Sequence, residues 1–215
     1  MPKAVVIEGH QLEHAVKIAR VSSPENGNRD AALLPTCFGT GMTVTEICRL
    51  RVSDYVSESG EVLIDSQVRV EPAYKHRARS LCWTNKKLTN AIDAPMVERL
   101  DRGHGVSARR IAYRASLFVS GRTGDGLKIS ATQRDGKTYY SANQLSRLYI
   151  RLFAQAGGEG ASAQSGWRTL AVKLKRQGID FRHISEILGI ESLEAVKRLC
   201  AGDPARLGDI VRRIV

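Results

Sequence analysis

Residues 162–199 read SAQSGWRTLAVKLKRQGIDFRHISEILGIESLEAVKRL. Apolar residues recur there at helical spacing and glycines at 178 and 189 interrupt them, so the stretch predicts three helices, Arg168–Gln177, Phe181–Leu188 and Leu193–Cys200. Glycine ends a helix cheaply because it enters the left-handed region without a Cβ clash. Ile184, Ile187 and Leu188 are assigned to a buried face. Beyond them, Pro204–Val215 places proline in a plausible first turn and aligns Leu207, Ile210, Val211 and Ile214 in one stripe that needs a partner surface.

Working outward, residues 8–20 carry Leu12, Ala15, Val16, Ile18 and Ala19 near helical spacing, and the polar run 22–28 ends that helix. A second helix is predicted from Arg29, a turn at Gly39 and Gly41, and a third helix over Val44–Leu50. Thr43 and Glu46 form T-x-x-E, a capping box worth about 1 kcal/mol. VLIDSQVRV (62–70) and ARSLCWTN (78–85) read as a β-hairpin with a basic tip at 71–77. Helices are expected near 94–101 and 107–113, a short strand at 116–120, a glycine-rich loop over 121–137, and a helix over 141–155 with Ser141 as N-cap.

The chain of 215 residues, 42% hydrophobic, suits one sizeable core, and a single domain over 1–215 is expected. Its formal net charge is +11. Lys and Arg outnumber Asp and Glu by 11 to 4 over 69–114 and by 12 to 7 over 141–215, but are outnumbered 6 to 9 over 1–68. The positive field therefore belongs to the middle and end of the chain, and an anionic polymer, double-stranded DNA first, is the expected partner. Cys37, Cys48, Cys82 and Cys200 stand apart with no CxxC spacing, which argues against a zinc site and against a disulfide framework, so no metal and no cofactor is expected. With no apolar run of membrane-spanning length and no signal-like start, a cytoplasmic, membrane-free protein is expected.

GTGMTVTEICRLRVSDY (39–55) resembles the first signature of the tyrosine recombinases, the phage integrase family, written roughly TGLRxxEL..L...D. QSGWRTLA (164–171) resembles its second, HSGRRTFA. GIDFRHISEILGIESLEAVKRL (178–199) aligns without gaps with G(I/V)DLRxIQELLGHSSIxTTxxY. The resemblance runs from about Leu12 to Val215 and implies an α+β fold: a mainly helical catalytic-type domain with a small antiparallel β-sheet.

By that resemblance, Thr43 stands where the family has an arginine, Gln164 where it has histidine, Trp167 where it has its second arginine, Ile190 where it has histidine and Leu199 where it has the tyrosine nucleophile. Lys75 falls near the family's hairpin lysine. Family members hold a phosphate with these cations while tyrosine attacks, forming a 3′-phosphotyrosyl intermediate without metal. None of the replacements carries charge, and Leu199 has no nucleophile, so no catalytic residue is assigned and a pseudoenzyme is expected. Trp167, Ile190 and Leu199 are expected to fill the former site as an apolar plug. Tyr139 and Tyr140 are candidate substitute nucleophiles, but nothing in the signatures would hold a phosphate beside them.

Expected DNA contacts are Lys75, His76, Arg77 and Arg79 on the hairpin, Arg109, Arg110 and Arg114, then Asn143, Gln144 and Arg147 on the 141–155 helix, and Arg168, Lys173 and Lys175. The family's N-terminal clamp domain is expected to be absent. The leading reading is an inactive, DNA-binding accessory protein that modulates recombination or expression on a mobile genetic element, with an active recombinase or a second copy as protein partner through 204–215. Two alternatives stand beside it: a helix-turn-helix regulator built on Leu170–Leu188, and an active site-specific recombinase with a displaced site.

Overall fold

The computed structural model describes residues 4–69, 73, 77–107 and 110–202. In chain order these form α1 (Gly9–Ser22), α2 (Gly27–Thr40), α3 (Val44–Cys48), β1 (Asp65–Val68), β2 (Arg79–Cys82), α4 (Lys86–Asp101), β3 (Val106–Ser107), β4 (Arg110–Ile111), β5 (Ser130–Arg134), β6 (Lys137–Ser141), α5 (Asn143–Gln155), α6 (Ala163–Arg176), α7 (Phe181–Leu188) and α8 (Leu193–Cys200). Among the described residues the strands pair as antiparallel hairpins, β1 with β2, β3 with β4 and β5 with β6. The class is α+β with helix dominant, as expected.

Helix α2 is apolar around most of its circumference, and a helix of that kind has to be covered on all sides. Ala31, Ala32, Leu33, Leu34, Cys37 and Phe38 are all buried in the main core. Helices α1, α4 and α6 pack on it. The α6 contact depends on Gly166, where an added Cβ would lie 2.5 Å from the Cys37 Sγ. Tyr149 of α5 closes the other side: its hydroxyl donates to the Leu33 carbonyl at 2.6 Å. Burying each such large side chain contributes roughly 1.5–3 kcal/mol.

The last third builds a second cluster. Ala171, Ile184, Leu188, Ile190 and Val196 are buried, and Trp167, Leu170 and Leu199 pack partly against them. Helices α7 and α8 begin and end where the sequence places them, each with a side-chain N-cap: Asp180 accepts from Arg182 and His183, and Ser192 accepts from Ala195. Ile184 and Leu188 are fully buried, but Ile187 is 38% exposed, a correction to the expected buried trio. The burial of Ile184 and Leu188 weighs against α7 as a helix-turn-helix recognition helix.

Several boundaries differ. Gly39 stays inside α2, and Gly41, at φ 62°, makes the turn. Helix α4 starts at Lys86 because Asn85 caps it, accepting from Lys87 and Leu88. The helix expected at 107–113 is instead the β3–β4 hairpin. Gly103 (φ 72°) and Gly105 (φ 60°) reverse the chain there, and Arg99 ties the turn by donating to the His104 carbonyl at 2.8 Å. The strand expected at 116–120 is reduced to single bridges, Arg51 with Ser116 and Val119 with Gly126. The loop over 121–137 contains β5, and Ser141 closes β6 rather than capping α5, whose N-cap is Ala142. Most of the 71–77 hairpin tip, with Lys75 and His76, together with Arg109 and the stripe of 204–215, lies outside the described residues.

Candidate functional site

Residue order around Gly41 sets up the site. Gly41 turns the chain out of α2, Met42 is buried, and Thr43 is extended (φ −71°, ψ 160°) as the N-cap of α3. The capping box read from the sequence is formed: the Thr43 amide donates to Glu46 Oε2 at 2.6 Å, and the Glu46 amide donates to Thr43 Oγ1 at 3.3 Å. Gln164 and Trp167 lie three residues apart on α6 and so share a face. Leu199 reaches the same space from the last turn of α8.

These four residues line one cleft of about 800 Å3. Ala4, Met42, Val44, Ile150, Ala163 and Ala195 supply much of its remaining wall, with Ser146, Ser162, Arg168 and Arg198 as its other polar members. Ile190 is buried in the adjoining cluster, against which Trp167, Ala195 and Leu199 of the cleft wall pack, and is not itself among the lining residues. Trp167, Ile190 and Leu199 thus join one apolar cluster as expected, but they do not fill the cleft, which corrects the expected plug. Trp167 and Leu199 line this recess, and the Trp167 indole Nε1–H donates to the Gly41 carbonyl. No carboxylate, imidazole, thiol or phenol is among the lining residues, so the described wall offers neither a nucleophile of those classes nor a general base.

Arg79 donates to that same Gly41 carbonyl and to Glu46 Oε2, both at 3.0 Å. The pair is buried, with side-chain exposures of 4% and 0%. Burial pulls the Arg79 guanidinium below its ordinary range, and the Glu46 carboxylate opposes this. Its Nε and Nη1 atoms are buried without a hydrogen-bond partner among the described residues. Arg79 is thus corrected from a DNA contact to a residue inside the fold. Arg168 is corrected likewise: it is 8% exposed, and its guanidinium donates to the carbonyls of Ala4, Ala201 and Gly202. Three main-chain acceptors explain why a charged residue on an amphipathic helix turns inward.

The other sequence-predicted contacts are distributed. Asn143, Gln144 and Arg147 are exposed on the first half of α5. Arg77 and Arg114 are exposed, and Arg110 is exposed beside a separate recess shared with Met96 and Leu100. Lys173 and Lys175 are partly covered on α6, Lys175 Nζ sitting 4.3 Å from the Phe181 ring centroid. Tyr139 and Tyr140 lie on β6, away from the cleft lining, with the Arg49 guanidinium 4.6 Å from the Tyr140 centroid. Sequence reading missed Arg198, Ser146 and Ile150 in the cleft wall. Ser146 and Ile150 stand four apart on α5, a spacing that could have flagged a shared face.

Among the described residues, no group of three His, Cys, Asp or Glu side chains could hold a metal ion, and no helix is long and apolar enough to cross a membrane.

A family model described as the phage integrase family matches residues 6–203. No curated protein matches by sequence. Among solved structures, XerA recombinase superposes with a TM-score of 0.69 at 20% identity, over 99% of this chain and 63% of its own. XerH site-specific recombinase, in a post-cleavage complex with a palindromic difH substrate, gives 0.65 at 18% identity, over 98% and 53%. The Tn1549 transposon integrase, in complex with transposon right end DNA, gives 0.63 at 15%, over 100% and 67%. At these identities the likeness is one of fold, and this chain spans less than two thirds of the XerA and XerH chains.

Proposed function

This chain belongs to the phage integrase family, and from that premise we propose that it holds duplex DNA without cutting it, as an accessory of recombination or expression on a mobile genetic element. One observation carries the reading: Thr43, Gln164, Trp167 and Leu199 converge on a single cleft whose described wall has no nucleophile of the family's kind. Phosphodiester cleavage requires cations on the non-bridging oxygens and an in-line attacking atom. Loss of one oxyanion-type donor costs about 10²–10³ in rate, and here several donors and the phenol are replaced together.

Binding has separate support. A formal charge of +11 suits a polyanion. Asn143, Gln144 and Arg147 present amide and guanidinium donors on an exposed helical half, the donor types that suit base edges and phosphates. Arg77, Arg110, Arg114, Lys173 and Lys175 add cations, and Lys75, His76 and Arg109 belong to the proposal on sequence grounds. The solved recombinases and integrases that share the fold include chains bound to DNA.

The test uses supercoiled DNA and suicide half-sites. The expected result is a salt-sensitive gel shift with no covalent protein–DNA adduct. A denaturant-resistant adduct would establish an active recombinase with a displaced site and overturn the reading.

A further inference from the structure

A second recess, of about 380 Å3, lies away from the cleft, between the start of α2, the segment Leu127–Lys128 and the outer side of α5. Four cations line it: Arg29, Lys128, Arg147 and Arg151. No acidic residue is among the described lining residues, although the neighbouring Asp30 pairs with Arg29. Arg147 and Arg151 are one turn apart on α5, so both project to the same side. Like charges crowded around one hollow raise its energy, and a single carboxylate beside four cations leaves a net positive field that an entering anion lowers.

Arg29 is the prepared member. Its side chain is 14% exposed, and Asp30, 3% exposed, receives both Nε at 2.8 Å and Nη2 at 2.6 Å on a single oxygen. A buried carboxylate thus fixes the guanidinium plane, while Nη1 has no hydrogen-bond acceptor among the described residues. Burial pushes the Asp30 carboxyl up, and the fields of Arg29 and then Arg151 oppose that shift. A fork held in this way is suited to phosphate oxygens, which accept two parallel N–H bonds from one guanidinium.

We propose that this recess is a phosphate-binding site, occupied by a backbone phosphate of the duplex when DNA lies along α5. The proposal rests on the DNA-binding reading for its ligand, although the same site chemistry would take free inorganic phosphate. It adds Arg29, Lys128 and Arg151 to the interface, none of which belongs to the contact set given above.

Arg151→Gln and Lys128→Gln remove exposed charges and leave the buried Arg29–Asp30 pair in place; Lys87→Gln, an exposed site paired with Glu13, removes one charge elsewhere. Fluorescence anisotropy of a labelled duplex is read across a salt series, and thermal unfolding is read with and without inorganic phosphate. Each recess variant is expected to bind several-fold more weakly at low salt and to lower the slope of log affinity against log salt by about 0.9, while Lys87→Gln leaves the slope unchanged. Phosphate is expected to raise the melting temperature of the wild type more than that of Arg151→Gln. If the wild type binds duplex with a steep salt slope and the recess variants match it in slope and in phosphate response, the site is refuted and the DNA-binding reading stands. If the wild type fails to bind duplex yet phosphate stabilises it and not Arg151→Gln, the recess is a free-anion site and the reading itself has failed.

Discussion

Trp167 and Arg79 donate to one acceptor, the carbonyl oxygen of Gly41. They arrive from α6 and β2, so this carbonyl joins the hairpin to the helical cluster, next in sequence to Met42 and Thr43 of the cleft wall. Gly41 is held at φ 62°, and an added Cβ would lie 2.6 Å from Leu188 Cδ2 and 2.9 Å from Leu170 Cδ2. Gly41→Ala therefore meets left-handed strain and overpacking at once, for an expected loss of about 2–4 kcal/mol. Urea unfolding measures it, and a loss within experimental error would show that the turn is not under this constraint.

The Arg79–Glu46 pair gives a sharper test of what the buried guanidinium does. Removing one partner leaves the other charge stranded, so Arg79→Met is expected to destabilise by about 3–5 kcal/mol. Replacing both, with Glu46→Met, is expected to cost less than the sum of the two single changes. An additive double-mutant cycle would mean that the two side chains act independently. A DNA titration of Arg79→Leu at a temperature where it remains folded should match the wild type, because Arg79 is not offered to solvent.

What was legible in the sequence was local. Phe181–Leu188 could be bounded from residues alone because Asp180 supplies a cap and Gly189 a left-handed stop, signals that act within a turn. The Thr43–Glu46 box was readable for the same reason. The β5–β6 hairpin was missed because β5 is exposed along its whole length and shows no alternation, although Asp135–Gly136 (φ 51° and 69°) carried a turn signal that should have been used. The cleft's membership followed from the family signatures, but the bond from Trp167 to the Gly41 carbonyl, 126 residues away in sequence, did not. The inward turn of Arg168 depends on Ala4, 164 residues away, and of Arg79 on Glu46 and Gly41. Charge counting finds basic segments; it cannot tell a rim arginine from one consumed by carbonyls.

Restoring the nucleophile alone should not restore cleavage. Leu199→Tyr places a phenol in the cleft wall, yet Thr43, Gln164 and Trp167 beside it put no charge on a phosphate, Arg168 is held by main-chain carbonyls, and Arg198 is left as the one other cation of the described wall. Positioning with a single unplaced cation leaves most of the barrier in place. The expected outcome on a suicide half-site is no covalent adduct from Leu199→Tyr. A combined Thr43→Arg, Gln164→His, Trp167→Arg, Ile190→His and Leu199→Tyr chain is the variant from which an adduct could form. An adduct from the single variant would show that other groups hold the phosphate, and the proposed lack of catalysis would have to be abandoned.

The buried thiols set an alkaline limit on the fold. Burial pushes Cys37 and Cys48 from an ordinary value of 9.0 up to about 12. The folded state therefore favours the neutral thiol. Its stabilising effect is fully present below pH 9.0 and is lost as pH rises towards about 12, because the unfolded chain releases those protons first. Burial raises Tyr149 in the same direction, which steepens the loss above its ordinary value of 10.0. Urea midpoints are expected to hold steady up to pH 9.0 and then fall, and Cys37→Ala combined with Cys48→Ala should flatten the fall while lowering stability at neutral pH through the cavities left behind. Because the thiolate is the reactive form, iodoacetamide at neutral pH should modify exposed Cys82 well before Cys37 or Cys48. Mass spectrometry of the peptides reads the order, and early alkylation of Cys37 would show that α2 opens to solvent far more often than its packing against α6 implies.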